Sequence, residues 1–228
     1  MIADNIKKIR ERAADAAVRS GRTLDDILIV AAAKTNSAES VREAVAAGIC
    51  AVGENRVQEL VEKNALGAYS GAALHFIGHL QKNKVRQLVG VCDLIESGDS
   101  IELLELIGKR SKELGITQDV LIEVNIGKET TKAGFFPEAL DEVMGFASQI
   151  EGISVQGLMA IPPIFENING KYNYFAKMYN LFVDINAKKY DNVNMRFLSM
   201  GMSGDFEDAI LSGANAVRIG SAIFGVRT

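Results

Sequence analysis

The chain has 228 residues, 48% of them hydrophobic and 24% charged, with three prolines. That composition supports one large buried core and excludes a disordered chain. The net charge of −4, with both signs mixed along the chain, excludes a basic nucleic-acid face or membrane surface, and no stretch reaches the roughly 18 uncharged apolar residues of a spanning helix.

Residues 3–20 place Ile6, Ile9, Ala13 and Ala17 at helical spacing among charges, and Gly21 stops the helix. This amphipathic, charged start is neither a signal peptide nor a span. The run Ile27 to Ala33 is apolar without alternation, which suits a parallel strand buried on both faces. The rhythm then repeats. A helix over 37–47 ends at Gly48, a strand covers 50–53 and a helix 55–64. Strand 74–78 precedes a helix near 81–89, and strand 92–96 a strongly periodic helix over 100–114. Strand 119–125 precedes helix 137–149, strand 153–158 a long helix within 167–189, and strand 195–199 a short helix over 203–212. The eighth strand is 216–219.

Eight strands alternating with helices predict a single parallel (β/α)8 TIM-type barrel with an extra N-terminal helix. No linker, low-complexity segment or internal repeat interrupts residues 1–228, so one domain is expected. Cys50 and Cys92 stand far apart, form no C-x-x-C motif and read as core thiols in a cytoplasmic protein. Tyr172, Tyr174, Phe175, Tyr179 and Phe182 read as a helix face packed on the barrel.

Barrel active sites lie at the C-terminal ends of the strands. Lys34 closes the first strand there. Over a dry interior its amine would be partly neutral and could attack a carbonyl, although the same position suits a solvated lysine. Ser199 to Asp205 follows strand seven, and Arg218-Ile219-Gly220-Ser221 closes strand eight. Loops at these two positions commonly bind phosphate, helped by helix N-termini and by glycines that admit close backbone approach. Each is also an ordinary turn with a cap. A ligand with an aldehyde at one end and a phosphate at the other would span lysine and cradle. Pyridoxal 5′-phosphate (PLP) is one such ligand, and a phosphorylated sugar in a lysine aldolase is another. His75 and His79 sit on a strand broken by Gly78 with no third ligand nearby, so no metal is expected.

Several blocks, in one order and nearly end to end, resemble the YggS/PROSC family of PLP homeostasis proteins. They are Ala32-Ala33-Lys34-Thr35, the run Gly53 to Glu59, and the run His75 to Lys84. Val124-Asn125 with Glu129, Lys132 and Gly134 comes next, then Gly157 to Pro163, Leu198 to Asp205 and Val217 to Gly220. The resemblance implies a barrel similar to the N-terminal domain of alanine racemase and a PLP Schiff base on Lys34. It implies a phosphate held by Ser203, Gly204, Gly220 and Ser221, with Arg218 near the pyridine nitrogen. A cation there disfavours ring protonation and weakens carbanion chemistry. Asn55 and His79 are expected to line the pocket, and Met200 with Met202 to fill space beneath the cofactor. Lys132 either receives PLP by transimination or lies on the surface. Asn36, Ser37 and Leu74 depart from the family pattern, which often has a lysine and a proline after the Lys-Thr pair and a tryptophan before the histidine block.

A racemase needs acid–base groups on both faces of its substrate, and alanine racemase takes one from a further C-terminal domain. This chain ends nine residues after Ile219. The expected role is therefore to hold PLP for intracellular vitamin B6 homeostasis, with PLP-dependent apoenzymes as recipients and a monomer or weak homodimer as the assembly. The alternatives are a PLP-dependent amino-acid racemase or lyase and a Schiff-base aldolase without PLP.

Overall fold

Short apolar strands that cannot leave either face to water must close on themselves or be covered. Here they do both. The structure is a computed structural model describing residues 1–163 and 168–225, with only the backbone given for 168–172. The strands are β1 (Leu28–Ala32), β2 (Ala51–Glu54), β3 (Ala73–Phe76), β4 (Leu94–Gly98), β5 (Gln118–Glu123), β6 (Ile153–Met159), β7 (Val193–Met202) and β8 (Ala216–Ile219). All neighbours pair parallel in sequence order, and β1 pairs with β8 to close the barrel.

The helices are α1 (Ile2–Arg19), α2 (Ala38–Ala46), α3 (Val57–Ala65), α4 (Val85–Leu88), α5 (Ile101–Leu114), α6 (Leu140–Ala147), α7 (Ile168–Lys188), α8 (Phe206–Leu211) and α9 (Ser221–Phe224). The extra helix α1 buries Ile6, Ile9, Ala13, Ala16 and Ala17 against α8, α9 and α2. Asn5 Nδ2 donates to Ile223 O at 2.9 Å, tying α1 to the turn after β8. Helix α9 has no counterpart in the sequence reading, because four residues are too few to show a period.

Two apolar layers form. The outer one fills the space between barrel and helices. The inner one is Leu94, Leu121 and Met159, with Phe197 packed against them. Above it the lumen is polar. Of the helix α7 aromatics, Phe175 is fully buried, Tyr174 and Phe182 pack half-buried on the core, and Tyr179 is 43% exposed over Gly213. Tyr172, like residue 167, lies outside the described side chains. Cys92 is buried, and burial pushes its thiol up from the ordinary range. Cys50, expected in the core, is exposed instead. The reason is register: β2 begins one residue later, at Ala51.

Candidate functional site

Strand β1 delivers Lys34 two residues past its end, and strand β8 delivers Gly220 and Ser221 beside it. A cavity of about 560 Å³ opens at this C-terminal mouth. Lys34, Asn55, Ser203, Gly204, Arg218, Gly220 and Ser221 all line it, so seven of the nine expected residues converge. A second cavity of similar volume opens at the N-terminal end, lined by His75, Asp93, Asp119 and Arg196 among others, and with no lysine among its described residues.

Three details bear on what the mouth can hold. Ser203 Oγ accepts from Gly220 N at 3.2 Å and Ala222 N at 3.3 Å, which leaves its own proton to donate into the cavity. A side chain added at Gly204 would meet no atom of the described residues within 4 Å, which leaves room for a ligand at the backbone there. Among the described residues Asn55 Oδ1 is buried without a partner, a condition that a donor on a bound molecule would relieve. An anion with a polar ring fits this lining.

Two expected residues are elsewhere. Met200 is fully buried in the outer core. Ser199 faces the lumen, so strand alternation turns Met200 outward. Met202, beyond the irregularity that Gly201 allows at φ +91°, lines the mouth instead. His79 is absent from the lining. Strand β3 has ended at Phe76, and the His79 side chain, 64% exposed, donates Nδ1–H to Asp99 Oδ2 at 2.9 Å. Lys34 itself is exposed, so the dry setting expected for its amine is not found. Among the described residues no group of three His, Cys, Asp or Glu side chains is placed to hold a metal.

Lys132 stands in the loop after β5. Asn125 shapes that loop, its Nδ2 donating to Glu129 O at 2.8 Å and Lys132 O at 3.1 Å. Lys132 pairs with Glu129 and reaches Ile161 O at 3.5 Å, beside the cavity that Ile161 lines.

Beneath the mouth runs a buried polar chain that the sequence reading missed. His75 Nδ1–H donates to Glu96 Oε1 at 2.7 Å, and Ser199 Oγ donates to Glu96 Oε2 at 2.6 Å. Arg218 Nη1 donates to Ser199 Oγ at 2.6 Å, with Glu96 Oε2 at 3.8 Å, and Nη2 donates to Ala160 O at 2.9 Å. Burial pulls the Glu96 carboxyl upward, but the His75 bond, the charges of His75 and Arg218 and the Ser199 bond outweigh it and hold it below the usual range. Burial likewise pulls Arg218 down, opposed by Glu96, Glu123 and Asp205. The guanidinium is thus a fixed cation at the cavity floor.

Glu123, at the end of β5, is pushed up to about 7 by burial and by Asp99, against Arg218 and His79. A raised carboxyl keeps its proton in the fold where the unfolded chain has lost it, so it costs stability as pH rises from about 4.3 to about 7. Glu123→Gln is therefore expected to be more stable than wild type at pH 8, by about 2 kcal/mol, and to lose that advantage below pH 4.5. Thermal melts of both proteins across that range check it, and parallel curves would refute it.

The fold and this mouth define a barrel protein with a lysine, a floor arginine and a rim of serines and glycines around one cavity. The family model described as alanine racemase, N-terminal domain, matches residues 1–228. A pyridoxal phosphate homeostasis protein of Aquifex aeolicus is 42% identical over 224 residues, covering 98% of this chain and 97% of that one. A protein of the same name from Pseudomonas aeruginosa is 35% identical, covering 99% and 96%. The solved structure of PipY from Synechococcus elongatus with PLP bound superposes with a TM-score of 0.85 at 30% identity, covering 99% of this chain and all of that one. An alanine racemase of Clostridium difficile, at 15% identity and TM-score 0.75, shares the fold over 56% of its length. The chain belongs to the alanine racemase N-terminal domain family and, within it, to the pyridoxal phosphate homeostasis proteins.

Proposed function

We propose that this protein binds PLP in the mouth cavity and serves intracellular PLP homeostasis as a holder of the cofactor. The observation that carries the reading is the convergence of Lys34, Arg218, the Ser203/Gly204/Gly220/Ser221 rim and the orphaned Asn55 Oδ1 on one cavity. The names of the relatives and the PLP in PipY support it.

Lys34 would hold the cofactor covalently through its side-chain amine. Ser203, Gly204, Gly220 and Ser221 would take the phosphate, with Arg218 lining the floor of the same cavity. When bound, PLP supplies an electrophilic carbon and an electron-withdrawing ring. Arg218, a cation unable to accept a proton, would disfavour protonation of a ring nitrogen placed near it. Residues 1–228 act as one PLP-binding barrel domain, a monomer or weak homodimer in the cytoplasm, where its two unpaired cysteines persist as thiols. PLP-dependent apoenzymes are the proposed recipients.

Borohydride reduction of the PLP-treated protein, followed by peptide mapping, tests this. The expected result is a visible absorption band and a phosphopyridoxyl mass on Lys34, both absent in Lys34→Ala. A protein that takes up no PLP sinks the reading, and rapid substrate-dependent α-proton exchange would move it to a racemase or lyase.

A further inference from the structure

The turn that carries Lys34 is strained, and two charged residues of α3 grip it from both sides. Thr35 sits at φ +61°, in the left-handed region that a β-branched residue rarely occupies. Its amide donates to Glu59 Oε2 at 2.6 Å. On the other side of Lys34, the Ala33 carbonyl accepts from Lys63 Nζ at 2.9 Å. Lys63 is only 7% exposed and is itself pinned, with Glu54 Oε1 at 2.7 Å and Glu59 Oε2 at 3.6 Å. Tyr69 OH donates to the same Glu54 oxygen at 3.0 Å. Arg56 Nη1, at 3.5 Å, steadies Glu59. The Lys34 carbonyl between the grips accepts from Thr35 Oγ1 at 2.7 Å and Asn36 Nδ2 at 3.2 Å.

We propose that Glu59 and Lys63 are positioning residues that hold the strained Thr35 turn and so aim the Lys34 side chain into the mouth cavity. The inference rests on the proposed role of Lys34. A left-handed threonine persists only where its surroundings over-determine it. A charge-assisted bond to its amide and a buried ammonium on the preceding peptide supply that constraint. Released from Glu59, residue 35 relaxes toward negative φ, and the direction in which Lys34 leaves the backbone changes. Lys63 and Glu54 are buried with a tyrosine between the sheet and α3, a costly arrangement for a surface turn and an intelligible one for a turn carrying a reactive amine.

The test is PLP titration of the full-length apoprotein and its variants, read by visible absorbance, with amide hydrogen exchange of the segment around Thr35 read in parallel. Glu59→Ala is expected to bind PLP about tenfold more weakly and to exchange the Thr35 amide at least tenfold faster. Glu59→Gln, which keeps an acceptor, should stay within about threefold of wild type. The decisive variant is Glu59→Ala with Thr35→Asn. Asparagine tolerates left-handed backbone, so this pair should recover most of the lost affinity, a rescue that general destabilisation would not give. If Glu59→Ala does not fold, Glu59→Asp carries the same comparison, since it keeps the charge but falls short of the Thr35 amide.

Unchanged binding in Glu59→Ala, faster exchange without weaker binding, or no rescue by asparagine would each overturn the positioning role. A wild-type protein that takes up no PLP while its Thr35 amide stays protected would instead overturn the proposed function, and this inference with it.

Discussion

Glu96→Leu is expected to lose about 3–5 kcal/mol of stability at pH 7, because it strands a buried arginine. Arg218 is 4% exposed and Glu96 is fully buried, with Ser199 bridging them at 2.6 Å on either side. Removing the carboxylate leaves the guanidinium without the acidic group nearest to it among the described residues, and His75 Nδ1–H and the Ser199 hydroxyl without an acceptor. At a urea slope of about 3 kcal/mol/M the denaturation midpoint falls by about 1–1.7 M. The pH dependence has a definite sign. Glu96 is held below the ordinary carboxyl range, so its contribution is complete above the unfolded value of about 4.3 and fades as pH drops through its lower folded value. The gap between wild type and Glu96→Leu should therefore be widest near neutrality and shrink in acid. A gap of constant size would mean that the loss is one of packing and that Glu96 is uncharged in the fold.

The same polar chain shows where the sequence was readable and where it was not. The eight strands were legible because strands buried on both faces leave apolar runs, and the βα rhythm left one closed architecture for them. Lys34, Ser203, Gly204, Arg218, Gly220 and Ser221 were legible because strand ends of a barrel meet at one mouth. Two residues were misplaced, Met200 for its register and His79 for its distance from a strand end. The side-chain period of a strand is two, so Ser199 inward makes Met200 outward, and a reading without that registration cannot tell them apart. His79 lies three residues past the end of β3, too far to follow the strand's direction.

Glu96 carried a signal that went unused. A carboxylate that follows Leu94-Ile95 in a strand expected to be buried on both faces needs a buried partner. The partners themselves, His75 and Arg218, lie 21 and 122 positions away, and only the closed barrel brings them together. The Glu54–Lys63–Tyr69 cluster was illegible for a related reason. Lys63 looks like a solvated helix residue until α3 is laid on the barrel, where its ammonium meets Glu54 and the Ala33 carbonyl.

Gly157→Ala is expected to prevent folding. Gly157 has φ +141°, a conformation that L side chains rarely adopt, and a Cβ there would lie 1.9 Å from Phe197 O and 2.8 Å from Phe197 C. Those atoms belong to the backbone of β7, so no rotamer change relieves the overlap. The strand could separate only by breaking the Gly157–Phe197 pairing. The cost exceeds about 4 kcal/mol, the range in which a single substitution removes a large share of a domain's stability. The position is tied to the site as well as to the fold. The β6–β7 pairing shifts register between Val155 and Gly157, and the strand that emerges puts Met159 in the lumen and the Ala160 carbonyl 2.9 Å from Arg218 Nη2. A smooth strand would present these residues differently, so the glycine sets where the floor cation of the mouth is anchored. Far-ultraviolet circular dichroism and urea denaturation of purified Gly157→Ala check the expectation. The outcome that would refute it is a protein with the wild-type unfolding midpoint, which would require β6 and β7 to part at Phe197 without loss.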